Sequence, residues 1–163
     1  MVEILNETRQ SLPLLEVETS LKRYLSELGV QQSVTLVLCD DEAIRALNAE
    51  HRGVNAPTDV LSYPLHEPDD VGIPTVAHLG DVFISVDTAA RQASEHDHSL
   101  SEEVLALAAH GVCHLRGFDH PTEDAWQVFH RAQRRVLEHH RAQRDRAEHC
   151  TERDCTARDC TAP

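Results

Sequence analysis

Three histidines stand close together in the stretch His110-Gly111-Val112-Cys113-His114-Leu115-Arg116-Gly117-Phe118-Asp119-His120. Residues four apart on a helix lie one turn apart on the same face, so the imidazoles of His110 and His114 can converge on one ion. Gly117 lets the chain leave the helix and double back. His120 then supplies a third nitrogen from the following loop. Three histidine ligands leave one tetrahedral position for water, the pattern of a catalytic rather than a closed structural zinc. Imidazole matches Zn²⁺ in softness, although other divalent ions also accept it. The chain has 12 histidines, so pairs arise cheaply, yet His110 and His114 form its one pair at i, i+4.

The spacing His-x3-His-x2-Gly-x2-His is also that of metzincin peptidases, which need Glu directly after the first His as general base. Gly111 occupies that position here. A peptidase built this way lacks its proton acceptor, and peptide hydrolysis becomes a minor alternative. Phosphodiester hydrolysis has another route: the metal acidifies its own water and a cation steadies charge on phosphate oxygens.

The elements that must position these residues are legible in the pattern. Residues 2–8 read as a strand. Residues 12–28 read as an amphipathic helix, with Leu14, Val17, Leu21, Tyr24, Leu25 and Leu28 spaced by three and four and Gly29 as its stop. A β-rich run covers 33–39, and Asp40 or Asp41 caps a helix over 42–50. Residues 58–63 form a strand closed by Pro64. Residues 66–75, with Pro68, Gly72 and Pro74, read as a mobile loop. A strand over 78–86 precedes a short helix over 88–96. Ser101 starts the histidine-bearing helix, which Gly117 ends, and a last helix begins at Thr122. Strands and helices mix without a strict βαβ rhythm, which predicts an α+β domain with a mixed sheet of about four strands.

With 163 residues the chain suffices for one domain. No run of 18 apolar residues exists, which excludes a helical membrane span. The first residues lack a basic region followed by an apolar stretch, so no secretory leader is expected. Net charge is −13. Residues 1–120 carry 20 acids and 7 bases, whereas 121–163 carry 8 of each. Bulk attraction to nucleic acid is therefore not expected, and no DNA partner. A polyanion must be held by local features: a metal, an individual arginine, or the arginines of the last helix. Among these, Arg131, Arg134, Arg135 and Arg141 lie on neighbouring turns, opposite the stripe Ala125, Phe129, Ala132 and Val136. They can track an RNA backbone or form a plain solvated face. Five cysteines, an odd number, argue against a disulfide framework and for a reducing cytoplasm. Cys113, three residues after His110, is a possible fourth ligand or a core residue. Cys150, Cys155 and Cys160 repeat a pentad, which advances about 140° per step around a helix and so shares no face. The tail is expected to be a flexible, low-complexity extension.

The motif His110-Gly-x-x-His114-Leu-x-Gly-Phe-Asp-His120 resembles the signature of the YbeY family of bacterial rRNA maturation factors. Two further blocks carry the resemblance: Leu47-Asn48 to Arg52 running into Thr58-Asp59-Val60-Leu61-Ser62-Tyr63-Pro64, and Leu79-Gly80-Asp81-Val82 with Ile84-Ser85. The family usually has Leu where this chain has Cys113, and often Tyr at Phe118. The resemblance implies a YbeY-like domain over 1–140 and an Arg- and Cys-containing extension over 141–163. It implies a zinc-dependent, single-strand-specific endoribonuclease of the cytoplasm. Its substrates would be precursors of small-subunit 16S rRNA, in rRNA maturation and ribosome quality control, in contact with the small subunit. By motif position, His110, His114 and His120 would hold one Zn²⁺ per chain, and Arg52 would be the catalytic arginine near it. A guanidinium suits a phosphate because it is planar, always charged and bidentate. Asp119 would either orient a ligand histidine or cap the turn. Asp59 and Asp81 would be structural hydrogen-bonders or site residues. A non-catalytic ribosome assembly factor with a structural zinc is the second alternative.

Overall fold

The structure is a computed structural model and describes residues 1–65 and 77–157, with side chains as far as 147. The loop expected at 66–75 and Cys160 lie outside the described residues, as do the side chains of Cys150 and Cys155. Strands β1 (Val2–Asn6), β2 (Ser33–Cys39), β3 (Val60–Pro64) and β4 (His78–Ser85) form one sheet in the order β1-β2-β4-β3. β1, β2 and β4 are parallel, with Val2 opposite Val34 and Leu36 opposite Val82. β3 runs antiparallel to β4, with Ser62 opposite Val82. This is the mixed four-stranded sheet that the pattern predicts. Pro64 belongs to β3 rather than closing it, which an edge strand tolerates because one side of its backbone needs no partner.

Alternation along the strands separates two faces. Leu36, Leu38, Val82 and Ile84 enter the main core with α1 (Leu14–Glu27), α4 (Leu100–Leu115) and α5 (Glu123–Ala157). Cys39 and Leu61 face the other way, where Ile44 and Leu47 of α2 (Asp41–Arg52) cover them together with Tyr63 and Phe83. α3 (Val86–His96) links β4 to α4.

Several ends differ from the sequence reading for local reasons. β1 stops at Asn6 because its side-chain oxygen accepts from the backbone N–H and hydroxyl of Thr8. α3 begins at Val86, capped by the Ser85 hydroxyl, which accepts from Thr88 N–H. α4 begins before Ser101: the Ser99 hydroxyl accepts from Glu102 N–H, and the Glu102 carboxylate accepts from Ser99 N–H at 2.9 Å. This reciprocal pairing satisfies two helix-end donors at once. α5 runs unbroken across position 140.

α4 is the pivot of the domain. It is buried nearly all round, and the main exceptions beyond its first residue are His110 and His114, which are half-buried. Gly111 lets it lie close to the sheet. An ideal Cβ there would stand 2.6 Å from Val82 Cγ1 and 3.0 Å from Ser62 Oγ.

Candidate metal centre and cleft

The one half-exposed stripe of α4 carries two imidazoles, and the chain beyond it brings the third. Gly117 takes a left-handed conformation (φ 82°), which suits a residue without Cβ. The Gly117 N–H donates to His114 O and the Phe118 N–H to Cys113 O, which turns the chain sharply. Asp119 Oδ1 accepts from the backbone N–H of His120 at 2.8 Å. Asp119 thus shapes the turn that delivers His120, accepting from that residue's backbone rather than its ring.

The ring nitrogens of His110, His114 and His120 all lie within 4.8 Å of one another. His110 Nε2 and His114 Nε2 are 3.1 Å apart. Neighbouring ligands around a tetrahedral zinc with bonds of about 2.0–2.1 Å stand about 3.3 Å apart, so this donor pair fits such an ion with little adjustment. Burial pushes His110 down to about pKa 4, with help from the neighbouring His114 and His120. Burial also lowers His114, with His120 adding to it. Both rings are therefore neutral near pH 7, the form that ligates a metal.

Aromatic side chains hold the rings. Trp126, the single tryptophan of the chain, stacks on His120 at 3.9 Å between centroids and 20° between planes. Phe129, fully buried, has its centroid 4.6, 4.9 and 4.7 Å from those of His110, His114 and His120. Both come from the start of α5, where the Thr122 hydroxyl accepts from Ala125 N–H. Sequence reading places Phe129 on the core stripe and misses Trp126, because no local pattern says that the start of one helix packs on the ligand loop of another.

The histidines line a cleft of about 480 Å³ with Arg52, Thr58, Asp59, Val60, Leu61, Ser62, Asp119 and Trp126. Arg52 is the last residue of α2, whose N-terminus is fixed by Asp40, which accepts from Ala43 N–H at 2.8 Å, and by Asp41, which accepts from Ser85, Thr88 and Arg91. At the other end the buried Asn48 donates to Ala56 O and pins the following loop. Arg52 also contributes to lowering the His114 pKa, so its charge is felt at the imidazoles. It is the one permanent cation among the described residues lining the cleft. Asp59 lines the cleft too, and accepts from Val60 N–H and from Gln92. Asp81 pairs with His78 at 2.9 Å and is not among the cleft residues.

Cys113 stands apart from the histidine group. It is buried beside Tyr24, and burial raises its pKa. Arg131 and Arg135 line a second cavity with Arg116 and Tyr24 rather than the histidine cleft. Arg135 pairs with Glu27 at 3.0 Å, and Arg141 with Glu102 at 2.7 Å. The structure thus brings together Arg52, His110, His114, Asp119 and His120, and does not bring the arginines of α5 to them.

Fold and cleft together define an α+β domain built around a three-histidine group able to hold a metal ion. The sequence profile of the Endoribonuclease YbeY family matches residues 3–141. An Endoribonuclease YbeY of Thermus thermophilus is 46% identical over 139 residues, spanning 84% of this chain and 99% of that protein. One from Deinococcus radiodurans is 50% identical over 115 residues, spanning 64% of this chain and 73% of that protein. The solution structure of a Thermotoga maritima protein superposes with a TM-score of 0.61 at 26% identity, covering 88% of this chain and 93% of that one. The chain belongs to the Endoribonuclease YbeY family, and is a hydrolase.

Proposed function

We propose that this endoribonuclease cleaves single-stranded RNA in the cleft between α2, β3 and α4, with one Zn²⁺ per chain held by His110, His114 and His120. The observation that carries the reading is the convergence of three ring nitrogens within 4.8 Å in a cleft that also holds Arg52. When bound, zinc supplies Lewis acidity and a nucleophile from water at neutral pH. The protein's own part is positioning and charge. Arg52 binds the scissile phosphate by paired N–H donors and offsets the negative charge that builds on its oxygens. Asp119 holds the backbone of His120, and Trp126 its ring, so that the third nitrogen keeps its direction. Burial keeps His110 and His114 unprotonated.

The crowding at Gly111 argues against the peptidase alternative. A glutamate base at that position would have to grow into Val82 and Ser62. Single-strand specificity, action on 16S rRNA precursors in maturation and quality control, contact with the small subunit and a cytoplasmic location belong to the same proposal. So does a functional unit spanning residues 1–140, with 141–163 as an extension. Arg131 and Arg134 are the candidates for flanking backbone contacts, whereas the guanidinium of Arg135 is already engaged by Glu27 and Glu138.

The test is cleavage of matched single-stranded and duplex RNA by wild type, Arg52→Ala and His114→Ala, with peptides as controls. The expected result is single-strand cleavage lost in both variants, with metal retained in Arg52→Ala. Undiminished cleavage in Arg52→Ala would remove Arg52 from the mechanism, and peptide cleavage would restore the peptidase reading.

A further inference from the structure

A second group of metal-ligating side chains lies where α3 turns into α4. Asp97 ends α3 in a left-handed conformation (φ 55°), and the N–H of His98 donates back to Ala93 O at 2.9 Å. This tight reversal puts His96 and His98 on the same side of the turn. Glu103, in the first turns of α4, faces them. His96 Nδ1 is 3.1 Å and His98 Nδ1 is 3.2 Å from the same carboxylate oxygen, Oε2. All three ligand atoms lie within 4.8 Å of one another. The Glu103 side chain is only 5% exposed, and His98 is 24% exposed. The hydrogen bonds to this buried carboxylate come from the two imidazoles.

We propose that His96, His98 and Glu103 form a second metal site, for a divalent transition ion such as Zn²⁺. Two imidazoles and a carboxylate select such ions over Mg²⁺ and Ca²⁺, which prefer oxygen alone. The separations of 3.1 and 3.2 Å are near the about 3.3 Å between ligands of a tetrahedral zinc. A buried carboxylate needs a compensating positive charge, and an ion held between it and the two imidazoles supplies one. The site is separate from the cleft. Glu103 and His110 are seven residues apart on α4, about 10 Å along the helix axis. The metals of a paired catalytic site stand about 3.5–4 Å apart. The second ion therefore acts as a clip, joining the end of α3 to the helix that carries the cleft histidines.

The experiment titrates the metal-stripped full chain with Zn²⁺, followed in parallel by calorimetry and by tryptophan fluorescence. Trp126 stacks on His120 and reports the cleft. The expected result is two equivalents by heat and a fluorescence change complete after one. In His96→Ala/His98→Ala the weaker equivalent disappears, its affinity falling by at least ~10-fold, the lower bound for losing even an outer partner of a metal ligand. The fluorescence change persists. In His110→Ala/His114→Ala the fluorescence change is lost and the second equivalent remains. Glu103→Gln keeps the shape of the side chain and removes its charge, and should also lose the second equivalent. One equivalent in wild type that alters fluorescence, or a second equivalent that survives in His96→Ala/His98→Ala, overturns the proposal. Loss of the fluorescence response alone would count against the cleft assignment instead.

Discussion

Gly111→Ala sets two effects of known sign against each other. In an open helix, replacing glycine by alanine stabilises by about 0.8–1 kcal/mol, since alanine loses less backbone freedom on folding. Here the new Cβ would meet Val82 Cγ1 at 2.6 Å and Val82 Cγ2 and Ser62 Oγ at 3.0 Å. Carbon atoms rest at about 3.5–4.0 Å, so something must retreat by roughly 1 Å. Val82 has no exposed surface and sits in the middle of the sheet beside Leu36 and Ser62. Such overpacking costs about 1–3 kcal/mol. Because the 2.6 Å approach is to a fully buried carbon, the cost falls in the upper half of that range, about 2–3 kcal/mol, and after the helix gain a net loss of about 1–2 kcal/mol is expected. For a chain of this size that lowers the melting temperature by about 2–8 °C. The same strain pushes α4 from β3 and shifts His110 and His114 relative to Arg52. A misplacement of this order costs about 100-fold in rate. Thermal unfolding by circular dichroism and single-turnover RNA cleavage measure the two losses. A variant more stable than wild type, with unchanged cleavage, would show that α4 does not lie against the sheet as described.

Other outcomes are equally definite. Arg52→Ala should retain fold and metal while losing about 100–1,000-fold in cleavage, the cost of removing one charge-stabilising donor; Arg52→Lys should recover part of the rate, lacking the bidentate geometry. Trp126→Ala should weaken zinc binding about 10–100-fold by freeing the His120 ring, read by competition with a chromophoric chelator. Stability should fall in acid in two stages. His140 is fully buried, its Nδ1 3.1 Å from the Ser20 hydroxyl and its Nε2 without a partner. Burial lowers its pKa, against the raising influence of Glu102 and Glu16 and with that of Arg144 and Arg141. The folded state thus resists its protonation, as it resists that of His110 and His114 when no metal is bound, and their joint contribution is complete above about pH 6.5 and is lost as pH falls below that value. Burial alone would raise Glu102, but Ser99 and Arg141 bring it down to about 2 from 4.5, so its contribution goes only between those values. Urea midpoints of the metal-free chain across pH should show both stages, and His140→Asn should blunt the first; a pH-independent midpoint above pH 5 would refute this role for His140.

The sequence carried the centre of the site because its geometry is local. His110 and His114 are one helical turn apart, and Gly117 marks the bend that returns His120. The four strands were legible as the β-rich run at 33–39 and the stretches 2–8, 58–63 and 78–86. What depends on distant packing was illegible. Trp126 sits in a helix that starts after the ligand loop, and only the docking of α5 against α4 lays its ring on His120. The grouping of His96, His98 and Glu103 needs the left-handed turn at Asp97, which a non-glycine residue does not announce. Along α5, Arg135 is tied to Glu27 of α1 and Arg141 to Glu102 of α4. No pattern within one helix predicts those partners.

The most direct measurement is cleavage of single-stranded RNA by the metal-stripped chain before and after Zn²⁺ is returned, in wild type and in His114→Ala. Activity should be absent after stripping, return in wild type, and stay absent in His114→Ala at the same zinc concentration. Full activity in the stripped protein, or equal recovery in His114→Ala, would contradict the assignment of the chemistry to the three histidines.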